Sequence, residues 1–225
     1  MKPIKPKFEE ITEQLSAIND TIQIIAVTKQ VGIERTEEAI QAGIHHLGEN
    51  RPEGLTKKIE AIDEDVSWHY IGNLQTRKVK DVINEIDYLH SLDRLSLAKE
   101  IQKRANRPIN CFVQVNVSGE ESKSGIEPED TINFIKSLET YDNIKVVGLM
   151  TMAPNTTDET IIREAFKGLK SLQLQVSEKK WAHAPCTECS MGMSNDYLIA
   201  AQEGASFVRI GTALVGAESE AKKWA

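Results

Sequence analysis

The feature of this sequence that most constrains its fold is the alternation of short apolar runs with amphipathic segments. Eight apolar runs occur along the chain, at 22–29, 44–50, 67–73, 88–93, 109–119, 144–153, 187–194 and 207–216. The first five begin at intervals of roughly 20 residues, a spacing that leaves room for one helix between successive strands. The pattern therefore predicts a buried strand in each run and a helix after it.

The segments between the runs have the periodicity of helices with one apolar face. In the segment LDRLSLAKEIQKRA, the apolar residues Leu95, Ala98, Ile101 and Ala105 fall three or four positions apart. The segment DETIIREAFKGLKSLQLQV repeats this spacing. Such spacing places the apolar side chains on one side of a helix, where they can cover a sheet. The first residues, MKPIKPKFEEITEQL, predict a short tail and an extra N-terminal helix.

Eight successive strand–helix units are typical of a TIM barrel, the closed (β/α)8 fold of the α/β class. The 225 residues are close to the roughly 250 that are usual for this fold, so we expect residues 1–225 to form a single barrel domain. A doubly wound open sheet would produce the same alternation. Its dinucleotide-binding turn needs three glycines after the first strand, whereas VTKQVGIE contains one glycine. The sequence therefore favours the barrel.

Composition and charge argue against several classes of function. The net charge is −7 and no basic tract dominates, so we expect no nucleic-acid partner. No apolar run approaches the roughly 18 residues of a membrane span, and the N-terminus lacks the apolar centre of a signal peptide. We therefore expect a cytoplasmic protein without a membrane partner. The three cysteines include the motif Cys186-Thr-Glu-Cys189, but no second pair completes a zinc site, so we expect reduced cysteines and no metal.

In a barrel of this kind, functional groups lie at the C-terminal ends of the strands. Lys29 ends the first apolar run, and it shares a strand face with Ile25 and Val27. A lysine held in a partly desolvated pocket can act as a nucleophilic amine toward a carbonyl. A lysine at a strand end can equally extend its ammonium group into solvent. Lys29 alone leaves both interpretations open.

The last two strands strengthen the case for a ligand. Arg209 shares a strand face with Phe207 and Gly211, and the turn Gly211-Thr212 follows it. The seventh run ends in residues 190–194, SMGMS, where Ser194 is placed to cap the next helix. Barrels often bind phosphate between the loops after strands seven and eight. Each loop taken alone also fits ordinary turn chemistry.

An amine, an interior guanidinium and a phosphate-binding pair of loops together describe a pocket for pyridoxal 5′-phosphate (PLP). Lys29 would hold the aldehyde, and Arg209 would face the pyridine nitrogen. An arginine at that position discourages protonation of the ring nitrogen and weakens the ring as an electron sink.

With these residues in place, the sequence resembles the YggS/PROSC family of pyridoxal phosphate homeostasis proteins. The matching stretches include AVTKQ, LGENRPEG, WHYIGNLQTRK, VNVSGEESKSG, GLMTMAP and ECSMGMSNDYLIAAQEGASFVRIGTALVG. The resemblance implies a PLP fold-type III barrel similar to the N-terminal domain of bacterial alanine racemase, with PLP held as an aldimine on Lys29. It also implies a set of residues that line the cofactor site. These residues are Lys29, Asn50, His69, Met150, Ser190, Met191, Gly192, Met193, Ser194, Arg209, Gly211 and Thr212. Lys123 lies in a lysine-bearing family segment and receives no role.

The resemblance leaves three functions open. The first is a PLP carrier for intracellular homeostasis, with little or no catalysis, which could hand PLP to PLP-dependent apoenzymes. The second is a PLP-dependent amino-acid racemase, and the third is a cofactor-free Schiff-base aldolase. Racemases of this type carry a further domain with a tyrosine acid/base, whereas this chain ends at Ala225, nine residues after Gly216. We therefore expect a monomeric carrier and not a conventional enzyme.

Overall fold

The computed structural model describes residues 1–121 and 124–225 and contains a closed barrel of parallel strands in the order β1 to β8. The strands are β1 Gln23–Val27, β2 His46–Glu49, β3 Ser67–Tyr70, β4 Tyr88–Leu92, β5 Ile109–Gln114, β6 Ile144–Met150, β7 Glu188–Ser190 and β8 Phe207–Ile210. Strand β1 pairs with both β2 and β8, which closes the sheet. The predicted barrel is therefore confirmed, and the open doubly wound sheet is wrong.

Helices follow the strands and surround the barrel. They are α1 Ile4–Ser16, α2 Ile33–Gln41, α3 Pro52–Ala61, α4 Val79–Val82, α5 Leu95–Arg104, α6 Pro128–Ser137, α7 Glu159–Ser177, α8 Tyr197–Gln202, α9 Thr212–Val215 and α10 Glu220–Lys223. Two short 3-10 turns lie at Thr76–Lys78 and Leu138–Thr140. The expected extra N-terminal helix is α1. None of the helices in the described residues is long and apolar enough to cross a membrane.

The strands are shorter than the apolar runs that predicted them, and most of the difference lies at their carboxyl ends. β1 ends at Val27, two residues before Lys29, and β8 ends at Ile210, just before Gly211. The last residues of these runs leave the hydrogen-bonded ladder and form the loops above the barrel. This is where the functional groups of a parallel barrel are found.

Apolar side chains form two separate layers. The larger layer lies between strands and helices and includes Leu47, Leu89 and Val146. The smaller layer fills part of the barrel interior and consists of the buried residues Ile25, Phe112, Met150 and Phe207, with Tyr88 and Val147 packed against them. Burying one large apolar side chain stabilises the fold by roughly 1.5–3 kcal/mol. The interior layer leaves room for buried polar side chains beside it.

The cysteines belong to the apolar packing. Cys111, Cys186 and Cys189 are free and buried. Burial raises the pKa of each thiol to about 12, so all three are protonated at neutral pH. The C-x-x-C motif therefore contributes two neutral thiols to the barrel wall.

Gly148 tests how tightly neighbouring strands approach. A Cβ atom at Gly148 would overlap the carbonyl oxygen of Glu188 on β7, whereas a Cβ at Gly168, in α7, meets nothing within 4 Å. We expect Gly148→Ala to lower the free energy of unfolding by about 2 kcal/mol, because overpacking forces the strands apart. The control Gly168→Ala should raise it by about 0.5 kcal/mol, because alanine favours helix. Urea denaturation measures both, and equal effects would contradict this packing.

Candidate functional site

A cavity of about 880 Å³ opens at the carboxyl ends of the strands. Eight of the residues proposed from the sequence line it, from five different strands or the loops after them. They are Lys29, Asn50, Met150, Met193, Ser194, Arg209, Gly211 and Thr212. The other four residues expected to line it, His69, Ser190, Met191 and Gly192, are not on its wall. Lys123 lies outside the described residues.

Lys29 follows β1 on the wall of the cavity, and its side chain is exposed. Of the two interpretations that the sequence left open, the structure shows the one in which the side chain extends toward solvent. The reason is that β1 ends two residues earlier, so Lys29 sits on a turn instead of continuing the inward face of the strand. Its amine is available to the cavity as a donor or, when unprotonated, as a nucleophile.

A buried ion pair fixes the backbone just before Lys29. Lys58 of α3 pairs with Glu49 at the end of β2, and their side chains are 0% and 2% exposed. The Lys58 ammonium also donates to the carbonyl of Thr28 at 2.6 Å. The Thr28 hydroxyl donates to the same Glu49 oxygen at 3.0 Å. Burial lowers the pKa of Lys58, and the attraction of Glu49 opposes that shift.

Residues near the end of the chain form hydrogen bonds to the turn that contains Lys29. The carbonyl of Lys29 accepts a hydrogen bond from Lys223. Glu218 accepts from the amide of Gly32 at 2.8 Å and donates its own amide to the carbonyl of Gln30 at 2.8 Å. A Cβ atom at Gly32 would overlap the backbone of Lys223, so this position needs glycine. These contacts join distant parts of the chain, and no local pattern in the sequence indicates them.

Arg209 lines the cavity from β8, the strand next to β1. Its side chain is 4% exposed, and its guanidinium donates to Ser190 Oγ at 2.5 Å and to the carbonyl of Thr151 at 3.1 Å. Burial lowers the pKa of Arg209 to about 10, and the nearby Asp196 carboxylate opposes that shift. The group is therefore charged at neutral pH. Arginine has five N–H donors, so donors remain that can face the cavity.

The loops after β7 and β8 complete the wall. Gly192 has φ of 100°, and a Cβ there would come within 2.6 Å of the Ala200 side chain, so only glycine fits. Asp196 accepts from the amide of Met193 at 2.7 Å, and burial raises its pKa. The helix that follows begins after Asp196, not after Ser194. The predicted capping role of Ser194 is therefore wrong, and its hydroxyl stands on the cavity wall.

His69 lies inside the barrel and not on the cavity wall. It is fully buried, and its ring stacks on Tyr88 with centroids 4.4 Å apart. Two ring hydrogen bonds connect His69 to His46 and His90, and the latter contacts Ser190. Tyr70, one residue further, packs in the outer apolar layer, on the opposite face as alternation requires. His46 and His90 were not identified from the sequence, because single histidines in strands carry no spacing signal.

Residues 7–219 match the family model described as alanine racemase, N-terminal domain. A pyridoxal phosphate homeostasis protein of Aquifex aeolicus is 38% identical over 93% of this chain and 93% of its own. One from Vibrio cholerae is 34% identical over 96% of this chain and 97% of its own.

Solved structures give the same likeness. PipY of Synechococcus elongatus, solved with PLP bound, has a TM-score of 0.86 and 28% identity over 95% of this chain and 100% of its own. Alanine racemase of Clostridium difficile has a TM-score of 0.79 at 15% identity, over 98% of this chain and 58% of its own. At that identity, the racemase shows a shared fold alone.

Removing Lys58 tests the support under Lys29. We expect Lys58→Met to lower the free energy of unfolding by about 3 kcal/mol, because Glu49 would remain as a buried charge without its partner. The double variant with Glu49→Gln should recover most of that loss, because the charge is removed and Thr28 keeps a partner.

A matched control is the exposed ion pair Lys78–Glu53, with an N–O distance of 3.4 Å. Lys78→Met should change the free energy of unfolding by less than about 1 kcal/mol, because exposed pairs contribute little. Chemical denaturation measures all three variants. Equal losses for Lys58→Met and Lys78→Met would contradict a supporting role for the buried pair.

Proposed function

Because this chain belongs to the family of pyridoxal phosphate homeostasis proteins, we propose that its cavity binds PLP, with Lys29 as the point of covalent attachment. The observation that carries the proposal is the meeting of the Lys29 amine and the buried Arg209 guanidinium on one cavity of about 880 Å³. Such a volume lies within the range of small-ligand sites. Bound PLP supplies a reactive aldehyde on an electron-poor ring.

The residues on the wall fit the three recognition features of PLP, namely an aldehyde, a ring nitrogen and a phosphate. Lys29 supplies the amine that can bind the aldehyde. Arg209 supplies donors only, which suits a ring nitrogen that acts as an acceptor. Ser194 and Thr212 supply hydroxyls for phosphate oxygens, and Gly211 adds no side chain to the wall. All five residues line the same cavity.

We propose that Arg209 orients the ring and keeps its nitrogen unprotonated. Its charge is held by two neutral acceptors, Ser190 Oγ and the carbonyl of Thr151. None of the ion pairs between residues in the described ranges includes Arg209. A buried guanidinium that forms no ion pair with a carboxylate can interact with an acceptor in the cavity.

We infer that the site holds PLP without turning over a substrate. Among the described lining residues, the side chains that ionise are Lys29, Asp196 and Arg209. Racemisation needs an acid/base group on each face of the substrate. Lys29 could serve one face, whereas Asp196 accepts a hydrogen bond from the Met193 amide within its own loop. This inventory supports a carrier over a racemase, and the PLP-bound PipY structure supports a PLP site over a cofactor-free aldolase.

We propose further that residues 1–225 form a single domain that acts as a monomer in the cytoplasm and passes PLP to PLP-dependent apoenzymes. The continuous apolar layer from Ile4 to Val215 supports the single domain. Three free cysteines suit a reducing compartment.

Replacing Lys29 tests the covalent attachment. Purified protein incubated with PLP should show a visible absorbance band, and Lys29→Ala should lose it because no other lysine of the described residues lines the cavity. The control Lys99→Ala, on the exposed side of α5, should keep the band.

Borohydride reduction followed by peptide mapping locates the attachment directly. We expect a pyridoxyl group on Lys29. A pyridoxyl group on Lys123 or on another lysine, with Lys29 unmodified, would sink the assignment.

An assay of amino-acid racemisation separates carrier from racemase. With PLP bound, alanine and other common amino acids should racemise far more slowly than the about 10 s⁻¹ that is typical of enzymes. A turnover of that order, abolished by Lys29→Ala, would replace the carrier function with the racemase.

A further inference from the structure

Three histidines form a continuous hydrogen-bonded chain through the barrel interior. His46 Nδ1 lies 2.9 Å from His69 Nε2, and His69 Nδ1 lies 2.8 Å from His90 Nε2. His90 Nδ1 lies 2.8 Å from Ser190 Oγ, which also accepts from Arg209. The chain therefore connects strands β2, β3, β4, β7 and β8 and ends at the guanidinium on the cavity wall.

The strand register explains how the chain crosses the barrel. His46 pairs with Ser67, and His69 lies two positions further along β3. His69 in turn pairs with Tyr88, and His90 lies two positions further along β4. Each histidine is therefore one inward-facing step closer to the carboxyl rim than the one before, since side chains on one face recur every two residues. The ladder between β4 and β5 is irregular between Leu89 and Leu92, around His90.

Arg209 and the buried hydroxyl of Ser190 together set the direction of every hydrogen bond in this series of side chains. A guanidinium can only donate, so Ser190 Oγ accepts from it. Ser190 is fully buried, and its hydroxyl proton needs an acceptor. Among the described residues, the other partner of Ser190 Oγ is His90 Nδ1, which must therefore accept.

The same reasoning passes from ring to ring. With Nδ1 accepting, neutral His90 carries its proton on Nε2 and donates it to His69 Nδ1. His69 then carries its proton on Nε2 and donates to His46 Nδ1. The opposite direction would bring His90 Nδ1–H to Ser190 and leave the buried hydroxyl proton without an acceptor.

The surroundings of the rings keep the two inner histidines neutral. Burial holds the pKa of His69 and of His90 well below the ordinary value, with His46 adding repulsion at both and Arg209 at His90. The aromatic rings of Tyr88, Phe112 and Phe207 also pack against the two histidines. A neutral histidine carries its proton on one of its two ring nitrogens, and the hydrogen bonds between the rings determine which one.

We propose that His90, His69 and His46 are positioning residues, which hold the Arg209 guanidinium toward the cavity by a hydrogen-bonded chain of fixed direction through Ser190. Each ring orients the next, and Ser190 is locked as an acceptor for Arg209. The effect on PLP binding rests on the function proposed above, whereas the hydrogen-bonded series of histidines and its direction do not. His46, half-buried at the start of β2, is the outer end of the chain.

Nitrogen-15 NMR of histidine-labelled protein without PLP tests the direction. His46, His69 and His90 should each show the tautomer protonated at Nε2. His183 provides an internal reference, because its Nε2 faces the carbonyl of Ile135 at 2.8 Å and must donate. An Nδ1-protonated His69 or His90 in the wild-type protein would overturn the proposal.

Two substitutions test what sets the direction. Ser190→Ala removes the hydroxyl that donates to His90 Nδ1, so the tautomer signals of all three histidines should shift toward mixtures, including that of His46. Arg209→Met leaves the Ser190 hydroxyl with His90 Nδ1 as its acceptor, and should keep the wild-type tautomers. A folded Ser190→Ala variant whose His69 and His46 signals match the wild type would contradict the relay.

Cofactor retention tests the consequence for the site. His90→Phe keeps an aromatic ring beside Phe112 but removes the acceptor, whereas His90→Gln restores one. We expect PLP to dissociate about tenfold faster from His90→Phe than from wild type, as for loss of a hydrogen bond that supports a charged group. His90→Gln should recover most of the retention.

His45, which is exposed and precedes His46 in the sequence, is the control for the outer end of the histidine series. His45→Gln should leave both the tautomer signals and PLP retention unchanged. If wild-type protein binds no PLP, the proposed function fails while the NMR result still decides the relay. If wild type binds PLP and His90→Phe retains it equally well with an unchanged absorbance band, the positioning role is overturned.

Discussion

The pairing of β1 with β8 closes the barrel, and the cavity depends on that closure. Ile25 lies opposite Arg209, and Ala26 lies opposite Ile210. The chain therefore leaves both strands at the same level, so Lys29 and Thr212 reach one cavity although they are far apart in sequence. A closed sheet also has no unpaired edge. The relative position of amine and guanidinium is thus a property of the whole ladder and not of either loop.

The two most buried cations near the cavity are compensated in different ways. Lys58 forms an ion pair with Glu49, and its ammonium group also donates a hydrogen bond to the backbone carbonyl of Thr28. Arg209 is held by the neutral oxygens of Ser190 and Thr151, so its charge is not cancelled at contact distance. In a low-dielectric interior this difference is large. One cation stabilises the scaffold, and the other gives the cavity a fixed positive wall.

Each of the eight strands lies within an apolar run that predicted it. A parallel strand that is buried on both faces needs apolar residues along its length, so it is visible as a continuous apolar segment. The strand ends could not be predicted as well. The last residues of several runs lie in loops that line the cavity, and this depends on where neighbouring strands stop. Lys29 shows the effect, since it is exposed on a turn, whereas the sequence had left open whether it faces a pocket or solvent.

The sequence by itself determined the class of fold and the chemical groups available at the rim, since both follow from local patterns and from chain order. Only the tertiary structure decided what supports those groups. Three supports join distant segments of the chain. They are the Glu49–Lys58 ion pair, the hydrogen bond between Glu218 and the turn after Lys29, and the series of histidines that leads to Arg209. Register across a closed barrel brings such partners together, and no spacing along one strand encodes which residue of another strand will face it.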